Sequence, residues 1–499
     1  MRLPKINNRL SVKAYWITSL IIVIGLGLVY QATLAPGLTW RNDGSDGGDL
    51  TTAAAVAGVA HPGGYPTYLI LARLWLTLPF GTLAYRTTLL SVASAIFAAV
   101  LATFIVERTS VSRRSLATVS GLVAAFGFGL APLLWSQAVI TEVYALHTLF
   151  ITSLTFISIA IISVSPAQRL WLGRLGSCLL GLALGNQLTT LLFLPAWFGV
   201  LYWSEQKFRP RLWLESLVCL AGGLLVYIYV PLQASQHPPI NWGNASTLEG
   251  FWWLVSGQGY RGLVFGLPTD LIVTRLQAWA GISIAQLSWP GLMVALYGFL
   301  FGQTTSTFPK ILTLWLVVAY SLFAIGYGTS DSAAYLLPAV LAVAIWFGWG
   351  IAAGLENLSG RWLGLRPVAL GLIFVVLFAN AVRHLPEVDA SQDSSADDYA
   401  QAVLSQAPAQ AILITSKDRD TFSLWYYHYA LHQRPDVILL AEPLLQFQWY
   451  RDNLRYTYPD LALPTDPQFL ADAVVALNQR PACRTQLESA TPLDCSQAP

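Results

Sequence analysis

The stretch YPTYLILARLWLTLPF, residues 65–80, decides how this chain is threaded, because reading it as a span or as a surface helix sets the sidedness of every later segment. It holds about 16 residues, fewer than the roughly 20 that cross a bilayer core of about 30 Å, and Arg73 stands in its middle. A helix lying in the membrane interface fits both facts. If the stretch crossed instead, ERTSVSRRS at 107–115 would move outside and the charge pattern of every later loop would invert. With 65–80 on the surface, one side receives Arg2, Lys5, Arg9 and Lys13, then Arg108, Arg113 and Arg114, then Arg169 and Arg174. The same side receives Lys207, Arg209 and Arg211, then Lys310, then Arg361 and Arg366. The opposite short connections 132–141, 187–188 and 328–331 contain no Lys or Arg. Basic loops mark the cytoplasmic side.

Working outward, hydrophobic residues make up 55% of the chain and charged ones 11%, against roughly 45–50% and 25% in a soluble domain. The segments that read as spans are 14–33, 87–106, 116–131, 143–163, 173–186, 189–203, 213–232, 283–302, 311–327, 332–354 and 367–383. The expected fold is an all-α polytopic membrane protein with about 11 transmembrane helices, within a range of about 10–13. Trp16–Tyr30 is followed by Gln31-Ala32-Thr33 and a proline rather than by a cleavage pattern, so it reads as a retained first helix. The expected location is the cytoplasmic (inner) membrane, multi-pass, with the N-terminus inside and the C-terminus outside. One outer face then collects the long loops 34–86 and 233–282, the turn around Asp331 and the tail. The division expected is a transmembrane domain over 1–385 and an extracytoplasmic α/β domain over 386–499.

In the first outer loop, DGSDGGDLTTAAAVAG (43–58) sets Asp43, Asp46 and Asp49 three apart ahead of an uncharged helical run. Asp49 could be a helix N-cap, and Asp43 and Asp46 a solvated turn. A carboxylate at this surface could equally serve as a general base on an incoming hydroxyl or bind a divalent metal ion. The spacing is not that of an EF-hand. The prolines and glycines of HPGGYPTY (61–68) then fix a tight surface bend, which puts His61 and Tyr65 beside the acids in sequence.

The run TLAPGLTWRNDGSDGGDLTTAAAVAGVAHPGGYPTYLILARL (33–74) resembles the first-loop signature of the protein O-mannosyltransferase-like transmembrane family. Further likenesses are EVYALH (142–147), GLALGNQLT (181–189), PPINWGNASTLEGFWWLVSGQGYR (238–261), SDSAAYLLPA (330–339) and DYAQAVLSQAPAQAILITSKDRDTFSLWYYHY (398–429). The resemblance implies a glycosyltransferase of GT-C type that takes a sugar from a polyprenyl-phosphate carrier. It also implies a catalytic acid in the first outer loop, where Asp46 and Asp49 occupy the family's two acidic positions.

Other polar residues stand in apolar surroundings. Glu142 and His147 are five apart and so not on one helical face; ionisable groups near membrane depth are expensive and often functional, although Glu142 at a helix start could simply favour the dipole. In the second loop, Gln258, Tyr260 and Arg261 look like a substrate or phosphate contact, since arginine matches phosphate oxygens with a planar fork. Trp242, Trp252 and Trp253 read as an interfacial belt. In the tail, AILIT (411–415) and DVILLA (436–441) read as strands around the helix-like DTFSLWYYHYALH (420–432). SKDRD (416–420) reads as a solvated turn, with a ligand loop as the alternative. Cys483 and Cys495 could pair if the tail faces an oxidising compartment.

Together these readings give Asp46 and Asp49 as catalytic candidates. His61, Tyr65, Glu142, Asn186, Gln258, Tyr260, Arg261 and Asp331 are the substrate-binding candidates. The expected partners are a polyprenyl-phosphate sugar donor, membrane lipid and an acceptor protein or glycan, with no nucleic acid. The one candidate cofactor is a divalent metal ion. The expected reaction moves a hexose, mannose by family analogy, with inversion. A transporter or flippase of lipid-linked glycans is the alternative, but such proteins place their acids at mid-membrane and carry internal repeats.

Overall fold

A computed structural model describes residues 12–205, 209–329, 331–464, 471–489 and 491–495. Arg2, Lys5, Arg9 and Lys207, which enter the charge asymmetry above, lie outside these residues. Among the described residues eight helices are long and apolar enough to cross a membrane, or nine if one bent pair counts as a single span. The bent pair is Arg114–Gly129 with Pro132–Ala138, turned by 65°. Pro132 causes the break, because a proline has no N–H to donate and pushes the residue before it out of helical geometry.

The remaining two of the eleven expected spans are helical but fall short. All but the last two residues of the segment 173–186 lie in Pro166–Leu184, which carries Arg169 and Arg174 and is less apolar. The segment 189–203 is a tight turn of helix, Leu188–Phe193, followed by Leu194–Glu205. The protein is therefore a multi-pass membrane protein, with fewer clear spans among the described residues than the hydropathy of the runs suggested.

The residues 65–80 form no helix of spanning length. The helix there, Pro66–Trp75, has 10 residues, about 15 Å of rise, half of what a span requires. Proline in its first turn costs no hydrogen bond, since the N–H groups there have no helical partner. Arg73 donates to the Ala54 carbonyl at 3.1 Å and so ties this helix to the one before it.

Leu83–Thr109 and Asp331–Asn357 form the middle of the bundle; 89% of the latter's most apolar window is buried. Gly350 lies against the backbone of Val294 and Gly298, so only a residue without a side chain fits there. By contrast Gly360–Val388 has 6% of its window buried and is the most exposed of these helices.

The tail builds a four-stranded sheet in the order β2-β1-β3-β4, with β1 at Ile412–Thr415, β2 at Ile438–Ala441, β3 at Ala482–Thr485 and β4 at Leu493–Asp494. β1 runs parallel to both β2 and β3, and β4 closes antiparallel on β3. The expected strand–helix–strand unit is present, with the tail helix Asp418–Trp425 between β1 and β2. Both β1 and β2 are buried throughout, as strands covered on two faces must be. Cys483 and Cys495 form a disulfide that ties β3 to the residue after β4.

Candidate active site

The first loop turns sharply through Arg41–Asp46, where Asn42 and Asp43 adopt left-handed backbone angles (φ 57° and 60°). Asn and Asp tolerate that geometry better than other side-chain-bearing residues. Asn42 donates to the Val388 carbonyl at 2.9 Å, and the Trp40 backbone N–H donates to Asp393 at 3.1 Å, so the loop is fastened to the end of the last span and the start of the tail. The loop helix Gly47–Ala55 follows. It is held from two sides: Thr51 bonds Thr87 of the Leu83–Thr109 helix at 2.9 Å, while Gly48 faces the tail helix. A side chain at Gly48 would come within 2.5 Å of the Phe422 carbonyl oxygen. Glycine is what lets the two helices meet.

Asp49 is not a helix cap. Its side chain is fully buried, and its Oδ2 accepts from the His61 backbone N–H at 3.0 Å and lies 2.7 Å from His61 Nδ1. Its Oδ1 accepts from the Trp242 indole N–H at 3.0 Å. A carboxylate on the Nδ1 side fixes the proton on that nitrogen and orients the ring. His61 Nε2 then faces Asp46, 3.5 Å from its Oδ2. Asp46 sits at the start of the loop helix without making a capping bond and keeps 35% of its side chain accessible, against 8% for His61. The three residues form a line, from a buried and fully bonded Asp49 through His61 to an accessible Asp46.

The charges of this line are set by their surroundings. Burial disfavours the His61 cation, but Asp46 and then Asp49 outweigh it and push the imidazole up to about 9. Burial pushes Asp46 up to about 6, against the pull of His61 and with further push from Asp418, Asp49 and Asp331. Glu142 is 4% exposed rather than open at a helix start. Burial first, then repulsion from Asp46, holds its carboxyl well above the usual carboxylate range.

Among the other expected site residues, Tyr65 packs edge-on to His61 at 4.9 Å and holds a strained left-handed backbone (φ 41°) at the start of the surface helix. Asn186 is buried and donates to the Val143 carbonyl at 3.2 Å, next to Glu142, while its own carbonyl oxygen has no partner among the described residues. Tyr260 and Asp331 reach the same region: Asp46, Asp418 and Asp49 all act on the Tyr260 hydroxyl, and Asp331 acts on Asp46 and Glu142. Gln258 and Arg261 are exposed, and no hydrogen bond or ion pair links them to the acids among the described residues. His147 stands apart, 3.4 Å from Thr190 and 3.5 Å from Thr189. Asp43 is an exposed turn residue.

Three features escaped the sequence. Trp242 is no belt residue but a buried partner of Asp49, while Trp252, 62% exposed, fits the belt. Trp253 packs on Phe447 and Trp449 of the tail. The SKDRD segment is not merely a solvated turn: its Asp418 faces the loop acids, and Phe422 lies parallel to the His61 ring at 6.3 Å. Only the local likeness of 398–429 hinted at this, since nothing in a tail strand–helix unit announces its neighbour. No three His, Cys, Asp or Glu side chains are grouped as a metal site among the described residues, and both oxygens of Asp49 are already engaged. The loop acids thus do not fit the divalent metal ion that carboxylates alone suggested.

Residues 46–209 match the family described as protein O-mannosyl-transferase TMEM260 N-terminal domain, and residues 396–470 match TMEM260-associated domain 2. Both segments are similar to those of protein O-mannosyl-transferases. The two matched segments are those that meet at Gly48 and Phe422. Protein O-mannosyl-transferase TMEM260 of Mus musculus is 27% identical over 494 residues, covering 90% of this chain and 66% of that protein. The Dictyostelium discoideum protein of the same name is 24% identical over 485 residues, covering 86% and 58%. The chain thus spans about two thirds or less of these relatives' length. ArnT from Cupriavidus metallidurans bound to undecaprenyl phosphate shares the fold, with a TM-score of 0.59 at 12% identity over 94% of this chain and 93% of that one. Its apo state gives 0.52 at 15% identity, over 95% and 94%.

Proposed function

We propose that the chain is an integral membrane glycosyltransferase that moves a hexose, mannose by the names of its relatives, from a polyprenyl phosphate to a hydroxyl acceptor. The observation that carries this reading is the Asp46–His61–Asp49 line: an accessible carboxylate beside an imidazole whose other nitrogen is locked by a buried acid. A base poised near 6 can take a proton at neutral pH and still be ionised beforehand. The family likeness and the ArnT fold support the polyprenyl-phosphate donor.

In the reaction, the acceptor oxygen attacks the anomeric carbon and a C–O bond forms. The bond from that carbon to the phosphate oxygen breaks, and its electron pair leaves with the polyprenyl phosphate. Asp46 takes the acceptor's proton. His61 stays cationic and holds Asp46 in place, while Asp49 holds His61. A single displacement inverts the anomeric configuration. Arg261, exposed one residue from Tyr260, meets the phosphate from the second loop. Tyr65, Glu142, Asn186, Tyr260 and Asp331 line the sugar's place. No step requires a metal ion. The loops and tail lie on the extracytoplasmic side, a placement supported by the disulfide of the tail and by the basic residues of the opposite connections.

The test is transfer from radiolabelled polyprenyl-phosphate mannose to a serine- and threonine-containing peptide, by purified protein in lipid vesicles. Wild type should transfer the label and Asp46→Asn should not. Equal transfer by both removes the loop acids from the chemistry.

A further inference from the structure

A cavity of about 710 Å³ opens where the end of the loop helix, the second loop and the tail come together. Its volume falls within the roughly 300–1,000 Å³ of small-molecule sites. Ala57, Pro239 and Tyr429 stand on its three sides. The loop helix Gly47–Ala55 separates it from Asp46 by about 13 Å of helical rise. The walls are fastened to one another: the Val59 N–H donates to the Ile240 carbonyl at 2.9 Å, and Asn453 donates to the Pro239 carbonyl at 2.8 Å.

Backbone strain gathers here. Ala57, His237 and His432 hold left-handed angles (φ 55°, 49° and 54°), and all three line the cavity. Such angles are costly for residues with a side chain and collect at ligand sites. Another such group, Asn42, Asp43 and Tyr65, surrounds the first-loop acids.

The polar atoms of the cavity are neutral and held by a chain of hydrogen bonds. His428 Nδ1 lies 3.1 Å from the Gln433 carbonyl oxygen, which only accepts, so that nitrogen carries the proton. Its Nε2 therefore accepts from the Tyr458 hydroxyl at 3.2 Å. The Tyr458 oxygen in turn accepts from the Leu439 N–H at 3.2 Å and from the Tyr429 hydroxyl at 2.8 Å. Tyr458 is thereby saturated, whereas the Tyr429 oxygen keeps its lone pairs for a ligand. Burial pulls the His428 imidazole below its ordinary value, which keeps the ring uncharged. At the rim, His237 and His432 are exposed. The His237 ring is stacked on Tyr456 at 3.7 Å, which backs it as a flat wall.

No Asp, Glu, Lys or Arg lines this cavity among the described residues, so it offers no counter-charge to a phosphate, a carboxylate or an ammonium group. It does not suit an extended peptide either. β2 is the edge strand beside it, and the N–H groups of Leu439 and Ala441 are already given to Tyr458 and Tyr450. What matches these walls is an uncharged ligand, with hydroxyls for the tyrosine and histidine atoms and C–H faces for the rings and small apolar side chains. A neutral sugar chain has both.

We propose that the cavity between the loop helix, the second loop and the tail binds a neutral oligosaccharide, with Tyr429 and His237 holding its hydroxyls. The site is separate from the first-loop acids and stands independently of the glycosyltransferase reading.

The experiment titrates mannotriose, maltotriose and chitotriose into the full chain in lipid nanodiscs by calorimetry. Trigalacturonate and a serine- and threonine-containing peptide serve as contrasts. At least one neutral trisaccharide should bind, and neither contrast should. Tyr429→Phe keeps the ring and removes one oxygen, and His237→Ala removes the rim wall from a different segment. Each should weaken binding about five- to tenfold, the loss of one hydrogen bond. His432→Ala, at the exposed rim, gives a third variant that leaves the buried hydrogen bonds untouched. Asp46→Asn should bind the sugar within about twofold of wild type. Failure of all three sugars to bind, equal binding of either contrast, unchanged binding in all three cavity variants, or loss of binding in Asp46→Asn each overturns the site. Sugar binding without any transfer from polyprenyl-phosphate mannose removes the glycosyltransferase reading and leaves this site standing.

Discussion

His61 sets its Nδ1 2.7 Å from Asp49 Oδ2 and its Nε2 3.5 Å from Asp46 Oδ2, so one imidazole joins a fully buried carboxylate to an accessible one. The two loop acids are therefore unequal, and their replacement should separate. Asp46→Asn should lower transfer by about 10²–10⁴-fold, the usual contribution of a general base, with a smaller fall in melting temperature because its carboxylate is partly accessible. Asp49→Asn weakens a fully buried carboxylate bonded to both the His61 ring and the Trp242 indole, at a cost of about 3 kcal/mol, and should lower both melting temperature and transfer. Melting curves beside initial rates check this; identical melting for the two variants would contradict the unequal roles.

The pH profile of transfer should be bell-shaped. Asp46 works only when ionised, so the rate should fall as pH drops through about 6. His61 must stay cationic, and its folded value of about 9 lies above the ordinary 6.5 of a free imidazole. The stability it contributes is thus complete below about 6.5 and lost as pH rises through about 9. Rates from pH 5 to 10, with melting temperatures alongside, check both limbs. A flat profile across pH 6 would remove Asp46 as the base.

Arg261 should act on the donor. If it holds the phosphate equally in ground and transition states, Arg261→Ala raises donor KM; if it meets charge developing on the leaving group, it lowers kcat too. Arg261→Lys keeps the charge without the planar fork and should be intermediate. Donor kinetics unchanged in both variants would mean that Arg261 only reaches toward lipid headgroups.

Gly48→Val should detach the tail helix from the first loop. The added side chain meets the Phe422 carbonyl, a backbone atom that cannot swing aside. Overpacking of this kind costs about 1–3 kcal/mol. The expected result is loss of transfer and faster proteolysis of the tail, with the membrane-embedded part intact. Normal transfer would show that the close approach is dispensable.

Cysteine labelling at Ser45 and Ser394, each in a chain without other cysteines, should report both sites on the extracytoplasmic side. Labelling of either from the cytoplasm would overturn the sidedness drawn from the basic residues.

The class of the protein was legible in the sequence because the property that makes a span is local. An apolar run of sufficient length must leave water wherever it lies, so the helices at 14–33, 83–109, 144–162 and 331–357 could be read from their own residues. The shortness of 65–80 likewise marked it as too short to span, and its helix has 10 residues. The glycine–aspartate loop, with its likeness to a known family, brought Asp46, Asp49, His61 and Tyr65 into view together. What the tertiary structure alone decided is which of them are bonded to what. The indole of Trp242 reaches Asp49 across 193 positions of sequence, and Phe422 and Asp418 come to His61 from a separate sheet-bearing tail. Such pairings depend on how whole helices pack, and on a single glycine at 48 that lets two of them touch. Hydrophobic length is written in each segment by itself, whereas the partner of a buried carboxylate exists only once distant segments have been brought together.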